Sequence, residues 1–389
     1  MLIAFGRLGF SAFGGPIAHL SYFREEFVAR RRWLDETAYA DLVALCQLLP
    51  GPASSQVAIA LGLFRAGAGG AIAAWCAFTL PSVALLLAFA HTAPALLAPA
   101  GAGILHGLQL VAVAVVAQAV VGMARTLCPD RTRASIAGAA LVIVLLGTGS
   151  VAQILAIAGG ALAGLALCRG SAPPMPPHLH VPVSVRGGAA ALVAFLALLA
   201  LLPVARAVTH SQTLALCDAF YRSGALVFGG GHVVLPLLRD AVVASGWMSD
   251  RVFLAGYGAA QAVPGPLFSF AAYLGSLLNV GPGGIKGGLL ALAALYLPGI
   301  LVLVGTLPFW QALRSSTRTQ ASLAGVNAAV VGVLAAALYD PIWTTAVRSR
   351  GDFVVAAVGF VLLIAWRTPP LAVVLGSAVA GVLLDAFAL

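Results

Sequence analysis

Apolar residues run along the chain in long blocks separated by short polar or basic stretches. Blocks cover 2–23, 38–63, 70–90, 103–124, 134–149 and 151–168. A Pro-rich polar stretch, 170–187, follows. Further blocks lie at 188–208, 211–238, 252–278, 284–307, 320–338, 352–366 and 369–387. Most approach the length of about 20 residues that a membrane-crossing helix needs, and exceed the roughly 10 of a barrel strand. The pattern predicts an all-α polytopic membrane protein with about 12–13 membrane segments.

Composition supports this class. Of the 389 residues, 61% are hydrophobic and 8% charged, against roughly 25% charged in soluble domains. That excludes a soluble enzyme and a nucleic-acid binder. The net charge of +9 comes mostly from arginines at the ends of apolar blocks, with Lys286 the only lysine, as expected of residues that orient a membrane protein. Five cysteines without a CxxC suggest neither disulfides nor a metal cluster. The pair His178 and His180 has no Cys or acidic neighbours, so no metal or cofactor is expected. No charged leader with a cleavage site precedes the first block, and no removable signal peptide is expected.

The chain reads as a duplication. Phe5, Arg7, Gly9, Phe13, Gly14, Gly15, Leu20 and Arg24 recur as Phe220, Arg222, Gly224, Phe228, Gly229, Gly230, Leu235 and Arg239. After a one-residue slip, Trp33, Gln47, Pro50, Gly51 and Pro52 recur as Trp247, Gln261, Pro264, Gly265 and Pro266. Leu80-Pro81 returns as Leu297-Pro298. Matches on Gly, Pro, Arg, Gln and Trp are not what two unrelated apolar helices would share. The expected organisation is a first repeat at 1–169, a linker with an odd helix at 170–210, and a second repeat at 211–389. One additional crossing places the second repeat upside down, an arrangement that puts a transporter's site at the repeat interface.

Arginines at 125–133, 169–186, 314–318 and 367 fall on one side of this arrangement. Arg206, Lys286, Arg348 and Arg350 fall on the other. The first side is therefore cytoplasmic, with the N-terminus inside and the C-terminus outside. The sequence leaves two topologies open for 2–23, 38–63 and their repeats. Either they cross, or they are re-entrant hairpins that bring the basic arm Arg24, Arg30, Arg31 and Arg32 inside.

Four breaks interrupt apolar blocks: FGGP (Phe13 to Pro16), LPGPASSQ (Leu49 to Gln56), FGGGH (Phe228 to His232) and VPGP (Val263 to Pro266). Pro16, Pro50, Pro52, Pro264 and Pro266 remove donors, and glycines such as Gly231 accept unusual dihedrals. Unwound backbone at membrane depth needs a protein-lined or watery setting. Restarting helices at Gly14, Gly15, Gly51, Gly229, Gly230 and Gly265 would point free N–H groups at an anion. Kinked, closely packed helices are the alternative. Arg7 and Arg222 stand one to two turns before matched breaks, where they either contact an anion or snorkel to the interface. Ser11, Gln47, Ser54, Ser55, Gln56, Gln261 and Ser269 cluster there too, as anion donors or interhelical hydrogen bonds. His19 and His232 follow their breaks and either titrate or pack. No Ser/His or paired-Asp constellation favours a membrane-embedded enzyme.

The block FGRLGFSAFGGPIAHLSYFREEFVARRRWLDETAYADLVALCQLLPGPASSQ closely resembles the first half of the chromate ion transporter family. RSGALVFGGGHVVLPLLRD with GW, then QAVPGP, resembles its second half. The resemblance covers nearly the whole chain and implies a long, two-domain member: an inner-membrane chromate exporter conferring resistance. It implies a functional core in the blocks Phe13 to Pro16 with His19, Pro50 to Gln56, Phe228 to His232 and Pro264 to Pro266. Two departures stand out. The chain starts almost at the first block, and Leu267, Phe268 and Ser269 replace a more polar stretch. Sulfate or molybdate transport, a passive anion channel and an enzyme are the alternatives. Chromate or a related oxyanion and the bilayer are the expected partners. A homodimer is compatible with the sequence but not readable from it.

Overall fold

The computed structural model describes residues 1–13, 15–97, 101–147, 149–168, 182–228 and 231–387. Gly14, Gly229, Gly230, His178 and His180 lie outside the described residues. Among the described residues all regular structure is helical.

Both first blocks turn back on themselves. Block 2–23 splits into α1 (Leu2–Ser11) and α2 (Gly15–Phe23). Ten residues rise about 15 Å, half of a bilayer core. The Phe5 ring on α1 lies 6.0 Å from Phe23 and 4.6 Å from Phe27, so the start of one helix meets the end of the other. Gly15 has φ +76°, which opens α2 ahead of Pro16. A π-helical stretch, Arg24–Arg30, carries the basic arm.

Block 38–63 splits in the same way. The Asp35 carboxylate caps α3 (Glu36–Leu48) by accepting from the Ala38 N–H at 2.7 Å. After Pro50-Gly51-Pro52 the chain restarts as α4 (Ala53–Leu97). Arg65 lies 5.7 Å over Trp33, so this piece also returns to the side it left. The expected separate segment 70–90 is the second arm of α4. Ala66 and Gly67 leave helical geometry between the arms, and Gly62 and Gly70 approach backbone to backbone. Helices α5 (Ala102–Leu127), α6 (Arg131–Leu146) and α7 (Gly149–Leu167) follow.

The odd helix α8 (Val185–Thr209) leads into the second half. Its most apolar stretch is only 6% buried, as for a helix facing lipid. The breaks then recur between α9 (Gln212–Ala225) and α10 (Val234–Val242), and between α11 (Asp250–Ala262) and α12 (Phe270–Leu277). Ser223 Oγ reaches Leu237 O, and Tyr273 Oη donates to Val252 O at 3.1 Å, so these pieces also fold back. Helix α13 (Gly284–Thr306) plays the part of the second arm of α4, with Gly275 against Gly287. The short α14 (Trp310–Ser315) precedes α15 (Thr317–Ala337). The short α16 (Thr344–Ala346) precedes α17 (Arg350–Ile364) and α18 (Pro370–Phe387).

The packing forms two bodies. Helices α1, α2, α3, α9 and α12 gather around α4 and α13, while α11 packs mainly on α5 and α18 and joins the bodies. Helices α5, α6, α7, α15, α17 and α18 form the other body, in which α5 packs on α18 and α15 on α6 and α7. Its contacts use small residues. Gly103 and Gly107 lie against Val382 and Ser377, and Gly160 and Gly164 against Gly325, as membrane helices require for close approach.

Candidate functional site

The four breaks meet pairwise across the two halves. In Pro-Gly-Pro the glycine N–H is the one backbone donor of the triplet. Gly51 gives its N–H to Val227 O at 2.7 Å, and Gly265 gives its N–H to Ala12 O at 2.9 Å. Each half thereby donates to a carbonyl at the other half's break. In an apolar interior an unpaired backbone group would be costly. Gly51 has φ +119° and Gly265 φ +101°, conformations that favour glycine. Their N–H groups are therefore structural, and neither is a free anion donor.

Most of the flanking side chains are similarly committed. Gln56 Nε2 donates to Pro50 O at 2.8 Å and to Gly299 O at 3.0 Å. Ser55 Oγ is 3.4 Å from Tyr296 Oη, and Ser54 Oγ is 3.4 Å from His19 Nδ1. His19 Nε2 reaches Ala12 O at 3.1 Å. Ser269 Oγ lies 2.5 Å from Ser82 Oγ, and Ser11 Oγ donates to Arg7 O at 2.8 Å. These contacts hold the unwound backbone together.

What remains open is a cavity of about 50 Å³ between the two bodies. From the breaks and their helices it takes Gly15, His232, Gln261 and Gly265, and from the other body Val115, Gln118 and Pro370. A Cβ on Gly15 would meet nothing within 4 Å. His232 Nδ1 is 2.7 Å from Tyr257 Oη. Tyr257 is fully buried among Phe253 and Phe270. When Tyr257 donates, the other ring nitrogen of His232 carries the proton. Gln261 Nε2 is buried and has no hydrogen-bond partner. A buried amide donor left unpaired costs about 1–3 kcal/mol, so Nε2 would gain from an acceptor brought within its reach. Gln47, the matched residue, is exposed.

The two arginines do not line this cavity. Arg7 is exposed on α1. Arg222 pairs with the buried Asp218 carboxylate, which also accepts from Arg206 of α8 at 3.1 Å. The i,i+4 spacing of Asp218 and Arg222 was visible in the sequence, but the reach of Arg206 was not. His106 of α5 is 2.6 Å from Asp352 of α17. Sequence reasoning also missed Gln118. Its signal is a polar residue within an otherwise apolar block.

The basic arm is largely self-neutralised. Arg24 pairs with Glu36 at 2.5 Å, and Arg30 and Arg31 both pair with Glu26. Burial opposes the charge of Glu26, but the hydrogen bonds from Arg31 and Arg30 prevail and hold its pKa below the ordinary value.

Known proteins place this arrangement. A model of the chromate transporter family matches residues 1–165 and again 214–382. A chromate transport protein of Pseudomonas aeruginosa is 29% identical over 380 residues, covering 93% of this chain and 86% of that protein. A chromate transport protein of Cupriavidus metallidurans is 30% identical over 351 residues, 87% of this chain and 81% of that protein. A probable chromate transport protein of Synechococcus elongatus is 28% identical over 399 residues, 97% and 93% of the two chains. No solved structure matches. With five long apolar helices among the described residues, this is a multi-pass membrane protein and a transporter rather than an enzyme, and it belongs to the chromate transporter family.

Proposed function

We propose that the chain exports chromate across the bacterial inner membrane by alternating access and thereby confers chromate resistance. Gln261, which lines the cavity between the two bodies and whose buried Nε2 has no partner, carries this reading. A tetrahedral dianion would accept from Gln261 there, with His232 and Gln118 as further donors. Gly15 would leave room for it. Gln47 would take the role of Gln261 when the other half closes.

The folded-back pieces support an inverted repeat. With 2–23 and 38–63 re-entrant, the arm at 24–36, Arg65 and the turns at 128–130 and 307–316 share one face. Arg206, Arg239, Arg251, Lys286 and Arg348 then lie towards the other. The arginine-rich face is cytoplasmic by the positive-inside rule. The N-terminus is inside and the C-terminus outside. An inside-negative potential favours exit of an anion by about 2.3 kcal/mol per charge per 100 mV. Arg7, on the cytoplasmic half-helix, draws the anion towards the cavity, and Arg222 with Arg206 leaves a net positive charge beside Asp218 at the exit.

Everted vesicles are expected to accumulate radiolabelled chromate, with sulfate as competitor and a protonophore separating the driving forces. Absence of chromate uptake by correctly inserted protein overturns this reading. Arg7→Ala is expected to lower initial uptake at least tenfold with normal insertion; unchanged uptake removes Arg7 from the path. Tyr257→Phe is expected to raise the apparent KM several-fold with little change in maximal rate, because His232 loses the partner that fixes its protonated nitrogen. An unchanged KM would mean that Tyr257 only packs.

A further inference from the structure

The two faces of the molecule are sealed unequally. On the face opposite the arginine-rich one, the folded-back pieces of the second half share one apolar core with α5, α7 and α15. Leu235, Phe253 and Leu254 join Leu110, Ile157 and Val330 in it. Among the described residues, the core of the first half's folded-back pieces takes Val302, Leu303, Leu307 and Trp310 from elsewhere, and no residue of α5, α6, α7, α15, α17 or α18.

The closed seam has a defined construction. Gly258 of α11 lies directly against the backbone of Leu108 on α5, and Gln109 Nε2 donates to Arg251 O at 3.2 Å. Its counterparts follow from the duplication. Gly258 and Arg251 correspond to Ala44 and Thr37 by the spacing that relates Gly265 to Gly51. Gly103 and Gly107 pack on α18 as Ala321 and Gly325 pack on α7, so Leu108 and Gln109 correspond to Val326 and Asn327.

Among the described residues, α3 makes no comparable packing with α15. Thr37, Ala40, Ala44 and Gln47 instead form one exposed face of α3. That face is small and polar, whereas lipid-facing α8 exposes Val193, Leu196, Leu201 and Val204. Asn327 is only 9% exposed, and its Oδ1 has no partner.

We infer that α11 on α5 is the closed gate of one face and that α3 with α15 is the same gate held open on the arginine-rich face. The inference deepens the alternating-access reading and rests on it. In the exchanged state Ala44 docks on Val326, and the Asn327 amide reaches the backbone at Thr37, its Nδ2 donating to the carbonyl as Gln109 Nε2 now donates to Arg251 O, or its free Oδ1 accepting from the N–H. To receive α3, α15 releases the 231–242 segment that it now contacts. Leu108 in turn releases Gly258.

Crosslinking in vesicles tests this, in a background with the five native cysteines replaced by serine. The pair Gln109→Cys with Arg251→Cys is expected to link in resting protein with a short bis-methanethiosulfonate, which joins the two thiols through reducible disulfides with methanesulfinate leaving. The pair Ala44→Cys with Val326→Cys is expected to link at least tenfold faster during chromate transport than at rest. Either link stops transport, and reduction restores it. Gly258→Ala, whose new methyl would collide with Leu108, shifts linking from the first pair to the second. If that variant fails to fold, the two pairs alone decide. Both links forming together in one molecule, or an Ala44–Val326 pair that never links during measured turnover, overturns the exchange. Chromate uptake by the unlinked protein tests the transport reading separately.

Discussion

Gly51→Ala is expected to reduce chromate transport at least a hundredfold and to lower the yield of monodisperse protein. Two costs act at this position. The backbone sits at φ +119°, where a residue with a Cβ is strained by about 1–3 kcal/mol. The added methyl would also lie 2.9 Å from Gln56 Nε2 and 3.0 Å from the Gly299 Cα. Overpacking of this kind costs about 1–3 kcal/mol. Any shift that relieves it pulls the Gly51 N–H from Val227 O, the bond that joins one half's triplet to the other half's break.

The companion variant Gly51→Ala with Gln56→Ala separates the two costs. Removing the Gln56 amide clears the closer contact but leaves the dihedral and the Gly299 contact. Partial recovery of yield without recovery of transport is expected, read by size-exclusion profile and vesicle uptake. Wild-type uptake by Gly51→Ala alone would show that the crossing of the breaks tolerates a side chain, and the site geometry would need rebuilding. Gly265→Ala is expected to act from the other half, against Ser82 Oγ at 3.1 Å.

The breaks were legible in the sequence because Gly and Pro act on the backbone directly. Pro50-Gly51-Pro52 and Pro264-Gly265-Pro266 announce unwound chain whatever surrounds them. The fold-back was not legible. A block such as 2–23 carries the same apolar content whether it crosses once or turns back at its middle, and only the contact of Phe5 with Phe23 distinguishes the two. The bend at Ala66 and Gly67 was hidden for a related reason, since one glycine among Gly62, Gly67, Gly69 and Gly70 carries no label of its own.

Side-chain roles divide along the same line. Gln261 and His232 were found because they adjoin breaks. Gln118 and Pro370 reach the cavity through the packing of distant helices, which spacing along the chain does not encode. The donors of Gln56 and Gly51 were anticipated as ligands for an anion, yet the folded chain uses them on its own carbonyls. Unwound backbone presents acceptors as well as donors, and nearby groups satisfy those acceptors first.

Gln261→Glu is expected to abolish chromate transport while leaving insertion and folding intact. The substitution preserves shape and replaces the unpartnered Nε2 donor with a carboxylate oxygen. Two unit charges 4 Å apart at an effective dielectric of 20 interact by about 4 kcal/mol, and a dianion doubles that repulsion. Loss of at least a thousandfold in apparent affinity follows, beyond the range of a vesicle assay. Gln261→Leu removes the donor without adding charge, so its KM is expected to rise by roughly tenfold to a hundredfold, in line with about 1.5–3 kcal/mol for one hydrogen bond to a charged group. Lowering the pH protonates the new carboxyl, returns a donor to the cavity and partly restores uptake by Gln261→Glu relative to unsubstituted protein at the same pH. A packing role for Gln261 predicts the opposite order, because leucine would then disturb the protein more than the isosteric glutamate. Uptake by Gln261→Glu equal to or above that of Gln261→Leu at neutral pH would therefore remove Gln261 from the anion's path.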